Sequence, residues 1–130
     1  MIEFINLTIK ELIIFHESII SNSGGSSGIR DLGLIKSALE RPYASFDAKD
    51  LYDTTEKKMS VLVYSLISNH GFVDGNKRIG VATLVLLCKL NNVLIKFTQD
   101  ELVELGLNVA NGKLNDLDIY DWILTHKVNN

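Results

Sequence analysis

SNHGFVDGNKRIGVA, residues 68 to 82, sets a histidine, an aspartate, an asparagine, a lysine, an arginine and glycines in the middle of the most apolar part of the chain. On its N-terminal side Met59, Leu62, Val63, Leu66, Ile67 and His70 follow the three-to-four spacing of one helical face, and Asp53 with Glu56 has the spacing of a helix start. On its C-terminal side Ile79 to Leu90 is apolar almost all round, which marks a helix enclosed by its neighbours and predicts the central helix of the fold. The polar stretch is thus a short connection between two buried helices. A turn alone would need only Asp74 and Gly75, which leaves His70, Asn76, Lys77 and Arg78 to be explained by chemistry.

Outward from this connection the chain reads as helix after helix. Thr8 and Glu11 form a capping-box pattern, and Ile9, Leu12, Ile13, His16, Ile19 and Ile20 share one face of a helix from about 9 to 21. SNSGGSSGIRD, residues 21 to 31, is small, polar and glycine-rich and predicts a mobile loop. Asp31 can cap a short helix carrying Leu32, Ile35, Ala38 and Leu39, which Pro42 stops near Arg41. NNVLIKF predicts a turn and a short extended piece. Thr98 and Glu101 then open a helix through Leu102, Leu105, Val109 and Ala110 that Gly112 can end, and Asp116 to Thr125 gives the last. The expectation is one all-α domain over residues 1–130, a bundle of about six helices with at most a small β-hairpin.

Composition narrows the function classes. A chain of 130 residues with 46% hydrophobic content suits a single core. Thirteen Lys and Arg against sixteen Asp and Glu give a net charge of −3, the wrong sign for general electrostatic binding of nucleic acid, so no direct nucleic-acid partner is expected. The lone Cys88 excludes an internal disulfide and a cysteine zinc site and suits a reducing cytosol, so a cytoplasmic location is expected. MIEFINLTIKE lacks the features of a signal peptide. IGVATLVLLCKL would cover about 18 Å as a helix against a hydrocarbon core of about 30 Å, so a buried helix is expected and no membrane partner.

The connection itself has the parts of a phosphate site. The first N–H groups of a helix lack internal partners, and with the helix dipole they attract anions. Gly75, Asn76, Lys77 and Arg78 occupy that first turn. The glycine allows close approach to the main chain, the asparagine can hold an oxygen or fix the loop, and the two cations neutralise phosphate charge. Asp74 supplies a lone carboxylate of the kind that holds Mg²⁺ beside substrate phosphates, so Mg-ATP is the economical ligand. His70 is the group here that exchanges a proton near neutral pH and is the candidate general base. Phe72 reads as an anchor for the loop. A base, a metal ligand and an anion nest within nine residues together serve one phosphoryl or nucleotidyl transfer.

His70-Gly71-Phe72-Val73-Asp74-Gly75-Asn76-Lys77-Arg78 resembles the Fic/Doc (Fido) family motif HxFx(D/E)GNxR, and GIRDLGLIKSALERP, residues 28 to 42, resembles its Doc (death-on-curing) toxin branch. The resemblance covers roughly residues 8 to 95 and implies a Fido-type helical bundle. It implies that His70 deprotonates a hydroxyl on a target protein, that Asp74 coordinates Mg²⁺, and that the Gly75 amide with Asn76, Lys77 and Arg78 cradles the phosphates of ATP. It also implies that a flap after the first helix holds the target as an added strand, which falls here on Gly28, Ile29 and Arg30. In the Doc branch lysine replaces a motif glycine, and Lys77 stands there, favouring transfer of the γ-phosphate to a Ser, Thr or Tyr hydroxyl, with a translation elongation factor as the leading target. The alternatives are AMP transfer as in Fic proteins and an inactive member that binds nucleotide or a partner. No glutamate precedes a glycine or asparagine, so the family's inhibitory (S/T)xxxE(G/N) pattern is absent, and the resemblance implies an antitoxin acting in trans. Gly71 replaces a frequent proline, a change expected to loosen the backbone beside His70.

Other residues that draw the eye read as structural. Cys88 is expected in the core, His16 as a core histidine, His126 near a frayed terminus, and Trp122 with Tyr120 as packing.

Overall fold

The computed structural model describes residues 3–128, and within them the chain forms six helices and one two-stranded sheet. Helix α1 (Ile9–Ser23) starts at the Thr8 and Glu11 capping box and buries Leu12, His16 and Ile20. It runs two residues beyond the predicted end, because Ser23 bonds back to the Ile19 carbonyl and the chain turns only at Gly24. Helix α2 (Leu32–Glu40) has the Asp31 carboxylate as its cap and passes into a single 3₁₀ turn, Arg41–Tyr43, that contains Pro42.

Strands β1 (Ser45–Phe46) and β2 (Lys49–Asp50) then form the hairpin, antiparallel with Phe46 opposite Lys49. Its two turn residues, Asp47 and Ala48, both have positive φ, 53° and 61°, as the mirror-image turns of two-residue hairpins require. The hairpin thus lies after α2 and not in the flap segment, a position no Asn-Gly or Asp-Gly signal announced.

Helix α3 (Thr55–Ser68) is capped by Thr54, one residue after the predicted Asp53, whose carboxylate pairs instead with Lys57 Nζ at 3.0 Å. Helix α4 (Asn76–Leu90) follows the polar connection, and helices α5 (Gln99–Ala110) and α6 (Asp116–His126) complete the bundle. The central helix is α3, not α4: it packs against α2, α4, α5 and α6 and buries residues on every side, including Ser60 and Ser65, while Val81, Ala82, Val85 and Leu86 of α4 stay half-buried. An apolar circumference therefore did not make α4 the enclosed helix; α3, which carries buried serines, is the deeper one. Gly80 of α4 faces the Ile67 side chain of α3 so closely that a Cβ there would collide with it, which sets how near the two helices cross and so where the connection between them sits.

The extended piece after α4 reduces to one antiparallel bridge, Ile95 to Lys127. The final helix is opened by Asn115 and Asp118, a capping box with Asp in place of Glu. No helix among the described residues is long and apolar enough to cross a membrane.

Candidate active site

The connection between α3 and α4 is held from five directions. Phe72, 2% exposed, plugs it into the core, where burial of such a ring is worth about 1.5–3 kcal/mol. The Asn76 carboxamide spans it, accepting from the Phe72 N–H and donating to the Phe72 carbonyl, both at 3.0 Å. The segment before α2 zips along it: Val73 N–H donates to the Gly28 carbonyl at 3.1 Å, and the Arg30 and Asp31 N–H groups both donate to the Gly71 carbonyl, at 2.8 and 2.9 Å. The Arg30 side chain donates to the His70 and Asn69 carbonyls, at 2.5 and 3.0 Å, satisfying groups that a helix C-terminus leaves unpaired. Finally the His16 ring lies against Phe72 with centroids 3.8 Å apart, and its Nε2 meets the Asp74 carbonyl at 2.7 Å.

This scaffold places the predicted residues on one open cleft of about 500 Å³, lined by His70, Val73, Asp74, Gly75, Asn76, Lys77 and Arg78 with Ile67 and Ala110. His70 is exposed and has φ of +52°, a left-handed conformation that an L-residue adopts at a cost, and it stands just past the α3 cap Asn69. That single left-handed step takes the chain off the helix and presents the imidazole to the cleft. Gly75, with φ of +76°, makes the second such step and starts α4. Among the described residues the N–H groups of Asn76, Lys77 and Arg78 have no acceptor, the donor arrangement that a helix start offers to anions. What Asn76 offers an anion is its main chain, since both ends of its side chain are spent on Phe72. Lys77 is exposed and lines the cleft with its stem against Gly106 of α5.

Gly71 does the opposite of loosening the loop. It is buried, and a Cβ on it would sit 2.5 Å from Ile35 Cγ1 and 3.4 Å from the Asp31 carbonyl. The position is a point of close packing between the loop and α2.

Asp74 and Arg78 are already engaged. Asp74 accepts from the Gly75 N–H at 2.7 Å and the Ser26 N–H at 3.0 Å, and lies 3.7 Å from the Arg78 guanidinium. Those contacts, the Ser26 amide foremost, then Gly75 and the Arg78 charge, hold the Asp74 carboxyl below its ordinary range. Arg78 also donates to the Gly24 carbonyl at 2.6 Å and the Ser23 hydroxyl at 2.7 Å. The backbone of Gly25 passes so near that a Cβ there would lie 2.6 Å from Asp74 Oδ2 and 2.8 Å from Arg78 Nη2. The segment after α1 is therefore a strap across Asp74 and Arg78. Residues 24–27, which follow α1, are exposed, and these polar contacts are set against a backbone ordering cost of about 1–2 kcal/mol per residue. Sequence reasoning missed the strap and the support from His16, Asn69 and Asp31, because contacts between distant segments leave no local pattern.

Cys88 is buried, and desolvation with the nearby Glu56 charge pushes its thiol up to about 12, so it is inert. His126 is an ordered part of the α5–α6 contact, stacked on Trp122 at 4.0 Å with its Nε2 2.7 Å from Glu101.

Comparison with known proteins identifies a family. A family model described as the Fic/DOC family matches residues 6–88, which contain the whole loop, the strap and α1 to α3. A protein named Toxin Doc from Mycolicibacterium smegmatis is 39% identical over 70 residues, 54% of this chain and 54% of that protein. A protein named Protein kinase doc from Escherichia phage P1 is 29% identical over 114 residues, 88% of this chain and 89% of that one. The match thus spans about half the length of the first relative and nearly nine tenths of the second.

Proposed function

The chain belongs to the Fic/DOC family, and from that premise we propose that it is a Doc-like toxin, a protein kinase that moves the γ-phosphate of ATP onto a Ser, Thr or Tyr hydroxyl of a target protein. The observation that carries this reading is the single loop that brings a cleft-facing imidazole, a carboxylate and three unpaired helix-start N–H groups together between two buried helices. The relatives' names, Toxin Doc and Protein kinase doc, support the same class.

In this reading the α4 N-terminus, Lys77 and Arg78 bind and orient the phosphates. Asp74 would hold Mg²⁺, which supplies charge neutralisation on the phosphates when bound. His70 takes the proton of the target hydroxyl as that oxygen bonds to the γ-phosphorus; the bond from that phosphorus to the β–γ bridging oxygen breaks and ADP leaves. The phosphorylated side chain and ADP are the products, and the proton passes from His70 to solvent. Lys77 favours this direction of transfer because its long cationic side chain fills the space that a glycine would leave open for the rest of the triphosphate in the AMP-transferring orientation.

The target is held at Gly28, Ile29 and Arg30. Ile29 pairs with Phe72 in an antiparallel bridge whose hydrogen bonds run from the flanking Gly28 and Arg30. The N–H and C=O of Ile29 itself therefore point to the other side, a strand edge of the kind that an extended peptide can join. The side chains of Ile29, Leu32 and Val73 are exposed. An antitoxin acting in trans, a translation factor as target and a cytoplasmic setting belong to the same proposal.

The strap must leave Asp74 and Arg78 before Mg-ATP can use them, so nucleotide binding and strap release are one event. Calorimetric titration tests the site. Wild-type protein should bind Mg-ATP and Asp74→Asn should lose the Mg²⁺-dependent part; a wild-type protein that takes up no Mg-ATP at millimolar concentration contradicts the reading.

A further inference from the structure

The reaction proposed above makes no use of His16, yet this ring is among the most buried polar groups of the protein, 1% exposed. Its faces and its edge are both committed to the loop. One face lies on the Phe72 ring, 11° from parallel, and Nε2 is 2.7 Å from the Asp74 carbonyl. A carbonyl oxygen can only accept, so Nε2 carries the proton. Among the described residues His16 is the donor that meets this oxygen.

The consequence lies in the peptide that joins Asp74 to Gly75. The chain has no cis peptide bonds among its described residues, and in a trans peptide the C=O and N–H point in opposite directions. With the Asp74 oxygen held inward by the imidazole, the Gly75 N–H is turned outward, where it meets Asp74 Oδ1 at 2.7 Å. Gly75 sits in the left-handed region and has no side chain to resist rotation of that peptide. Were the peptide to flip, a carbonyl oxygen would face the anion nest in place of an N–H. A side chain serving only to fill the core would supply the stacking and leave this rotation free.

We propose that His16 is a positioning residue, which locks the Asp74–Gly75 peptide so that its N–H, and the carboxylate it steadies, face the phosphate cleft. The lock rests on the nucleotide reading for its purpose but not for its geometry, and the two are separable by experiment. In ¹⁵N- and ¹³C-labelled full-length protein, Nε2 of His16 should be the protonated nitrogen and should couple across the hydrogen bond to the Asp74 carbonyl carbon, and the Gly75 amide should exchange slowly with solvent. Addition of Mg-ATP should move the amides of Gly75, Asn76 and Lys77. His16→Phe keeps a ring but removes the donor, so Gly75 exchange should quicken and the Mg-ATP dissociation constant should rise about tenfold or more. His16→Gln restores an N–H at similar reach and should recover slow Gly75 exchange and part of the affinity. A bare Nε2 in the wild type, or a His16→Phe protein whose Gly75 exchange and Mg-ATP affinity are unchanged, overturns the proposal. Should His16→Phe not fold, a His16→Gln protein whose Gly75 amide exchanges freely overturns it equally. A wild-type protein that shows the Nε2 coupling and slow Gly75 exchange but ignores Mg-ATP contradicts the nucleotide reading and leaves the lock standing.

Discussion

The Arg30 guanidinium reaches across forty positions of sequence to the His70 carbonyl at 2.5 Å and takes the Asn69 carbonyl at 3.0 Å in the same fork. A side chain from the segment before α2 thus holds the backbone of the proposed base. Arg30→Ala should cost only about 1 kcal/mol of stability, as exposed carbonyls can turn to water, while transfer falls by a larger factor. Arg30→Lys should recover little, since an ammonium cannot reproduce a two-pronged contact. Urea midpoints beside transfer rates check both; equal losses in the two would reduce Arg30 to a structural cap.

His70 carries backbone strain as well as an imidazole. A left-handed L-residue costs about 1–2 kcal/mol, least for residues such as Asn and His. His70→Asn should leave stability almost unchanged and His70→Gly should leave or raise it, while both abolish transfer. His70→Val, with a branched β-carbon, should destabilise. Thermal melts of the three variants decide this, and a stability order with Val highest would contradict the assigned backbone.

The close contact of Gly71 with Ile35 predicts a coupled pair. Gly71→Ala should destabilise by about 1–3 kcal/mol through overpacking, and Ile35→Ala by about 2–5 kcal/mol through the cavity it leaves. In the Ile35→Ala background the added methyl at 71 has room, so the double variant should be clearly more stable than the two losses summed. Additive losses in a denaturant series would show that the two positions do not meet.

Acid should loosen the α5–α6 corner. Glu101 is held below its ordinary value, first by the His126 imidazole and then by the Thr98 N–H and hydroxyl. A lowered carboxyl pKa in the folded state gives stability that is present above the unfolded value and is lost as pH falls through the folded one. The loss therefore begins below 4.5, the ordinary value of this group. Urea midpoints of wild type and Glu101→Gln compared from about pH 6 to about pH 3 should converge at the acid end; a constant gap would contradict the assignment.

Much of this was legible in the sequence because the devices are local. Thr8 with Glu11 and Thr98 with Glu101 announced their helices by spacing, and the density of polar residues from His70 to Arg78 announced the cleft they line. What could not be read there depends on distant chain segments meeting. His16 looked like core and is core, but its edge is aimed at a carbonyl 58 positions away. Gly71 looked like slack and is a packing contact, because Ile35 comes from another helix. The segment from 21 to 31 was correctly read as lacking core residues, yet its place over Asp74 and Arg78 is a matter of two side chains it meets only in the folded protein. The Asp-for-Glu capping box at Asn115 was missed for a simpler reason: the shorter side chain departs from the usual pattern.

The central claim, that His70 drives transfer of the γ-phosphate, is tested most directly by incubating wild-type and His70→Ala protein with cell lysate and ATP labelled at either the α- or the γ-phosphate. The account predicts a protein band labelled from γ-ATP alone, present with wild type and absent with His70→Ala. Label arriving from α-ATP, or γ-label that survives the loss of His70, would contradict it.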